Sequence, residues 1–244
     1  MPATYSIVIP AYNEANSIAH AINEVDQYFR SLDDHYELIV VDDGSKDLTA
    51  SIVHNLSSTN ANLRLLPLPF NQGKGAAVRA GMLQATGDYL IFLDADLSTH
   101  PRTFETFLPH LDDADILIGS RGVTGSDVVR PQPLYRTLAG KLFNQVIRLY
   151  LHLPFRDTQC GFKVFHKRTQ GLFSAQEITG WAFDVELLMR AKQAGLQILE
   201  IPVQWQNAAN SKVKLRSFFE ILREVIFIKR MTKPSTNGSL LKKR

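Results

Sequence analysis

Two acids spaced one residue apart, Asp94 and Asp96, are the first groups in this chain that could do chemistry. They stand in the segment GDYLIFLDADLSTHP, residues 87 to 101. Tyr89 to Leu93 is a five-residue apolar run without period-2 alternation, which predicts a strand buried on both faces. Open α/β sheets bind ligands at the carboxyl ends of their strands, so both carboxylates should face a crevice. Side by side they repel, and one pKa rises unless a cation comes between them. A divalent metal holding a diphosphate meets that need, with one or two carboxylates and the remaining positions taken by phosphate and water. Asp-x-Asp also arises by chance, and only its place at the end of a buried strand favours the metal reading.

The elements that must position these acids can be read from apolar spacing. Tyr5 to Pro10 predicts a first buried strand, after which Asn13 or Asn16 could cap a helix. Ile18, Ile22, Val25, Phe29 and Leu32 recur at steps of four and three, the stripe of an amphipathic helix. Glu37 to Val41 predicts a second strand ending in Asp42-Asp43-Gly44-Ser45, and Ser45, Asp47 and Thr49 punctuate the start of a helix to about Ser58. Leu63 to Leu66 reads as a third strand, and Gly73-Lys74-Gly75 opens a helix ending near Gly87. Beyond the organising strand, Pro101 begins a predicted helix with Phe104, Phe107, Leu108 and Leu111 inward, and Ile116 to Gly119 is a fifth strand. Such β-α alternation argues for a parallel sheet with helices on both faces.

Familiar phosphate-binding motifs are absent. No glycine stands in Pro10-Ala11-Tyr12-Asn13, so a dinucleotide fingerprint after the first strand is excluded. Lys74 is followed by glycine, and no glycine stands five before Gly73, which excludes a P-loop. Gly73-Lys74-Gly75 can offer backbone N–H groups and a cation to an anion, or simply begin a helix with a solvated lysine. The chain has 244 residues, a net charge of +3 and a single cysteine. That charge gives no argument for nucleic acid, and one cysteine, Cys160, permits no internal disulfide and reads as a buried structural thiol. Neither a signal peptide nor a membrane-spanning stretch is expected. The seven histidines form no pair with metal-ligand spacing.

Taken in order, SIVIPAYNE, VVDDGSKD, NQGKGAAVRAG and DADLSTHP resemble a family-2 glycosyltransferase with the GT-A fold. IGSR, DTQCGFKVF, WAFDVELL and PVQW…NSKV are similar to its polyprenyl-phosphate branch, closest to the dolichyl-phosphate β-glucosyltransferases, with the dolichyl-phosphate mannose synthases as cousins. The resemblance runs from residue 5 to about 228. It implies an α/β domain over residues 1–231 that transfers glucose, with inversion, from UDP-glucose to a polyprenyl phosphate.

The resemblance also implies roles for particular residues. Pro10, Tyr12, Glu14, Val41 and Asp43 would hold the nucleotide, with Lys74, Ala95 and Lys212 also against the donor. Asp42 would stabilise its turn. Asp94 and Asp96 would hold Mg²⁺ or Mn²⁺ on the diphosphate, with Ser98, where mannose synthases often carry glutamine, reaching the metal directly or through water. Arg121 and Arg136 would hold the acceptor phosphate, for which the guanidinium fork is suited; the alternative is a surface pairing of these arginines with Asp127 or Asp157. Asp184 and Glu186 would hold sugar hydroxyls, or Asp184 would serve the start of its helix. Gln206 and Asn207 stand where the mannose branch has an arginine, which favours a nucleotide sugar other than GDP-mannose. Another donor on the same lipid, and a non-catalytic sugar-nucleotide-binding subunit, are the alternatives.

Two segments carry wider apolar arcs than a packed surface helix needs. In the helix expected at about 137–153 these are Leu142, Phe143, Val146, Ile147, Leu149, Tyr150, Leu151 and Leu153. In the last, at about 215–231, Phe218, Phe219, Ile221, Leu222, Val225, Ile226, Phe227 and Ile228 are edged by Arg216, Arg223, Lys229 and Arg230. Each should pack on one face and touch a membrane surface with the other, on the cytosolic side. A membrane-protein partner or a second copy of the chain is the other way to cover them. Residues 232–244 read as a basic disordered tail.

Overall fold

The computed structural model describes residues 4–32, 35–130, 134–207 and 215–231. Lys212 and the segment 232–244 lie outside the described residues, as does the side chain of Arg136. Strand β1 (Thr4–Ala11) is internal to the sheet because its side chains serve both faces. Tyr5, Ile7 and Ile9 enter one apolar layer and Val8 the other. On either side of it run β2 (His35–Asp42) and β4 (Tyr89–Leu93), both parallel, with β3 (Leu63–Pro67) beyond β2.

Beyond β4 the sheet changes direction. β7 (Phe162–His166) inserts antiparallel between β4 and β5 (Ile116–Ser120), and β8 (Ile198–Pro202) closes the edge parallel to β5. The order is β3-β2-β1-β4-β7-β5-β8, a mostly parallel sheet of seven strands. A separate parallel pair joins β6 (Asp127–Arg130) to β9 (Gln204–Gln206), so the turn-rich stretch after Arg121 contains a strand.

Helices cover both faces. On one lie α1 (Ile18–Ser31) and α2 (Thr49–Ser57) with Ile22, Phe29 and Val53 inward. The other carries α3 (Lys74–Gln84), α6 (Phe183–Gln193), α4 (Leu134–Leu151) and α7 (Leu215–Met231). A short α5 (Gly171–Ser174) precedes α6.

Two local expectations are corrected. The helix expected from Pro101 is a pair of 3-10 turns, Pro101–Thr106 and Leu108–His110. Pro109 lacks an N–H and disfavours α backbone at Leu108, which breaks the α ladder there. Phe104, Phe107 and Leu111 still point inward, while Leu108 is half-buried. Neither Asn13 nor Asn16 caps α1, which starts after Ser17. Asn13 instead adopts φ of 51°, and its side-chain oxygen accepts the Lys46 N–H at 2.8 Å, tying the two nucleotide-side loops together. The helix after Asp43 begins at Thr49, the last of the three residues expected to mark its start, and Asp42 and Asp47 hold the intervening turn.

Candidate active site

β1, β2, β4 and β5 run in the same direction, so their carboxyl ends share one edge. β4 ends in Asp94, whose N–H donates to the Gly161 carbonyl at 3.1 Å. A Cβ on Gly161 would lie 2.0 Å from Asp94 Oδ2. Only glycine therefore lets this carboxylate lie against the start of β7. Lys74, the first residue of α3, places Nζ 2.7 Å from Asp94 Oδ1. Burial opposes charge on Lys74, but Asp94, with Asp184 and Asp96 behind it, outweighs burial and raises the pKa. The lysine is thus not solvated. It also lies 5.2 Å from the Phe92 ring centroid and 5.8 Å from that of Trp181.

Asp96 is exposed at the mouth of the crevice. Loss of solvent around its carboxyl, and then Asp94, push its pKa up from the ordinary 3.8. Ser98 braces it through an N–H donated to Oδ1 at 2.9 Å, and the Ser98 carbonyl accepts the Gln206 N–H of β9. Among the described residues no three His, Cys, Asp or Glu side chains converge to hold a metal. The crevice instead offers two hard-oxygen carboxylates with a repulsion between them, a donor set suited to Mg²⁺ or Mn²⁺ completed by phosphate and water.

Below the crevice runs a ladder of alternating charge. Asp184, in the first turn of α6, pairs with Lys163 of β7 at 2.8 Å, and both are almost wholly buried. Burial pushes the Asp184 carboxyl up, while Lys163 and then Lys74 pull the other way. The two acids expected at the sugar are both buried. Asp184 is 3% exposed, in the first turn of α6. Glu186 is fully buried and accepts the Glu177 and Ile178 N–H groups and the Arg190 Nε–H, all between 2.6 and 3.1 Å. It anchors the turn before α6.

The nucleotide-side residues separate into rim and support. Pro10 and Val41 are register partners at the ends of β1 and β2. The Val41 side chain is fully buried in the core, so only its backbone is placed to meet a ligand. Tyr12 and Glu14 are half-buried on the loop after β1. Ala95 lies buried between the two acids. The Asp43 carboxylate is also buried, and it accepts from Asn71 Nδ2 and from the Gln72 and Gly73 N–H groups at 2.7 to 3.0 Å. This acid holds the loop that leads into α3. Asp42 takes the turn as expected, with the Ser45 N–H 3.3 Å from Oδ2.

Arg121 follows β5, and its fork is engaged. Nε and Nη2 donate to the two oxygens of buried Asp157 at 2.6 and 3.0 Å, and the Trp205 ring lies 5.4 Å away. Burial opposes the Asp157 charge, but Arg121 wins and holds its carboxyl below the usual range. Glu200 of β8 accepts the Arg156 and Asp157 N–H groups, fixing the loop that carries the acid. β4 and β5 flank β7 and end on the same edge, so Arg121 and Asp94 leave the sheet on the same side. The backbone of Arg136 lies in the first turn of α4. Cys160 is buried beside Thr99, and burial pushes its thiol up, away from reactivity.

Of the two partners weighed for Arg121, Asp127 and Asp157, the structure shows Asp157. Gly161, Lys163, Trp181 and Glu224 were not singled out by sequence reasoning. Three of them stand inside the quoted stretches DTQCGFKVF and WAFDVELL, but no spacing signals that Gly161 faces Asp94 or that Lys163 is buried.

A mostly parallel sheet with paired acids at the end of an inner strand defines a GT-A-type glycosyltransferase. Residues 6–170 match the family described as glycosyl transferase family 2. Dolichyl-phosphate beta-glucosyltransferase ALG5C of Trichomonas vaginalis is 35% identical over 236 residues, covering 91% of this chain and 70% of that protein. The dolichyl-phosphate beta-glucosyltransferase of Drosophila melanogaster is 35% identical over 223 residues, covering 85% and 68%. The fold is shared with glucosyl-3-phosphoglycerate synthase from Mycobacterium tuberculosis, solved with Mn²⁺, UDP and glucosyl-3-phosphoglycerate. That match has a TM-score of 0.67 at 20% identity, covering 96% of this chain and 82% of that one. The chain belongs to glycosyl transferase family 2, and it is a glycosyltransferase.

Proposed function

We propose that this chain transfers glucose, with inversion, from UDP-glucose to a polyprenyl phosphate of the dolichyl type, at the cytosolic face of a membrane. One observation carries the reading. The acids suited to a nucleotide diphosphate, Asp94 and Asp96, and the arginine suited to a phosphate, Arg121, follow β4 and β5, which both pair with β7 and end on the same sheet edge. The names of the relatives supply the sugar and the lipid.

The acceptor needs no general base. A phosphate monoester has its second pKa near 6, so at neutral pH the attacking oxygen is already largely ionised (about six). Alignment and charge stabilisation are what the protein must provide. Asp94 and Asp96, with Ser98 supporting Asp96, would hold Mg²⁺ or Mn²⁺, which when bound makes the diphosphate a better leaving group. Lys74, already 2.7 Å from Asp94, adds a fixed positive charge on the same side. Arg121, and Arg136 from α4, would orient the acceptor phosphate for attack at the sugar C1. Lys212 would close over the donor.

No helix among the described residues is long and apolar enough to cross a membrane. Several large apolar side chains are exposed on α4 and α7, among them Leu142, Val146, Leu149, Phe219, Leu222 and Phe227. Arg223 and Arg230 stand exposed on α7 among them. This arrangement supports a lipid surface as partner, since a polyprenyl tail leaves a bilayer only at a large hydrophobic cost. The test is a donor screen with purified protein, Mg²⁺ or Mn²⁺, polyprenyl phosphate and a panel of UDP- and GDP-sugars. Preferred turnover of UDP-glucose is expected. Preference for GDP-mannose would replace the donor, and binding of UDP-glucose without turnover would leave a sugar-nucleotide-binding subunit.

A further inference from the structure

A carboxylate on α7 reaches across to the donor side of the molecule. Glu224 Oε2 accepts the Ala182 N–H at 2.8 Å. A Cβ on Gly180 would lie 1.9 Å from Glu224 Oε1, so the carboxylate occupies the space that a side chain there would need. The Ala182 N–H opens α6 and has no partner within the helix, which makes an acidic side chain from elsewhere a natural cap.

The turn that Glu224 holds is itself a brace. The Thr179 carbonyl accepts the Ala76 N–H at 3.1 Å. Cβ positions built on Gly73 and Gly75 would lie 2.5 Å from the Thr179 carbonyl oxygen and 2.7 Å from that of Ile178. The turn therefore rests backbone to backbone on the start of α3, where Lys74 sits. Trp181, the last residue of the turn, puts its ring beside the Lys74 ammonium. Glu186 fixes the turn from within α6, and Glu224 is the contact that ties it to α7.

We propose that Glu224 is a positioning residue for the donor site. Through the 178–182 turn it sets Gly73–Gly75, and so holds Lys74 on Asp94, which makes the geometry of the donor crevice depend on the seating of α7. The effect on catalysis rests on the glycosyl-transfer reading above, whereas the mechanical link does not. A displacement of about 1 Å in a positioning group can cost on the order of 10²-fold in rate, so a loosened turn should be visible in turnover.

The experiment combines hydrogen exchange with kinetics on the full chain. In Glu224→Ala the Ala182 amide should lose protection, and so should Ala76, which Glu224 does not touch. KM for UDP-glucose should rise about tenfold with a smaller fall in kcat, KM for polyprenyl phosphate staying within about twofold. Glu224→Gln, which keeps an acceptor oxygen, should restore most of both. Gly180→Ala keeps Glu224 but places a methyl against its flexible end, and should reproduce the Glu224→Ala pattern; it carries the test if Glu224→Ala does not fold. Unchanged protection of Ala76 in folded variants would overturn the link. So would a lost Ala76 protection with donor KM unmoved, provided the wild type transfers glucose. If the wild type does not use UDP-glucose, the transfer reading fails and exchange at Ala76 still decides the link.

Discussion

Lys74 Nζ lies 2.7 Å from Asp94 Oδ1, joining the start of α3 to the end of β4. Asp94 is thereby compensated by a protein cation, and Asp96, one residue on, is left as the carboxylate that still wants a positive partner. The raised pKa of Asp96 has that origin, in lost solvent and then in Asp94.

Asp96→Asn should abolish transfer without unfolding the protein, since the change is nearly isosteric. The stability sign runs opposite to the activity. With its folded pKa raised above 3.8, Asp96 favours the native state only while protonated. That contribution is lost as pH rises through the folded value, and the ionised form then costs stability. At neutral pH the variant should melt at or above the wild-type temperature, and the advantage should disappear in acid. Mn²⁺ should raise the wild-type melting temperature and leave the variant unmoved. An equal response of both to Mn²⁺ would remove Asp96 from the metal site.

Gly161→Ala tests the seat of the neighbouring acid. The new methyl would meet Asp94 Oδ2 and Cγ at 2.0 and 2.5 Å, and the short aspartate side chain has little room to yield. Transfer should fall at least a hundredfold, about 2.7 kcal/mol, while the far-UV spectrum is kept. Activity within about fivefold of wild type would show that Asp94 is not needed in its present place.

The strands leading to the crevice were legible because buried parallel strands are continuous apolar runs, and Tyr89–Leu93 was read to the residue. The antiparallel insertion of β7 was not, since pairing partners far apart in sequence leave no local signal. Site acids were harder for a chemical reason. A carboxylate that holds backbone N–H groups and one that waits for a ligand are the same residue type. Asp43 and Glu186 proved to be loop anchors, and Arg121 carries its own buried counter-ion. Asp94 and Asp96 follow directly on a strand, and a strand end fixes the edge of the sheet on which they stand. Pro109 shows the converse, a local rule that was visible and was outvoted by the apolar spacing around it.

Arg121→Lys keeps the charge and loses the fork. Lysine cannot match the two-point contact with Asp157, nor present a planar edge to a phosphate. KM for polyprenyl phosphate should rise about tenfold while KM for UDP-glucose changes by less than about twofold. If donor KM takes the loss instead, Arg121 belongs to the diphosphate.

The lipid surface can be tested on α4 without touching the core. Leu142 and Leu149 are 68% and 65% exposed and stand seven residues apart, so they share a helix face. Ile147 and Leu151 of the same helix are buried in the sheet-side core, which already anchors α4. Glutamate at both exposed positions should therefore leave the fold and its melting temperature nearly unchanged, as substitutions outside the core usually do. Against an anionic bilayer the double variant exchanges two apolar contacts for two repelled charges. Leu142→Glu with Leu149→Glu should release the protein from phosphatidylserine-containing vesicles at moderate salt. Turnover of long-chain polyprenyl phosphate in those vesicles should fall at least tenfold, while a short, water-soluble polyprenyl phosphate is still glucosylated within about twofold of wild type. Continued sedimentation with vesicles would place the membrane contact elsewhere, with α7 next to be tested. A changed oligomeric state with vesicle binding intact would mean that these leucines meet a second copy of the chain.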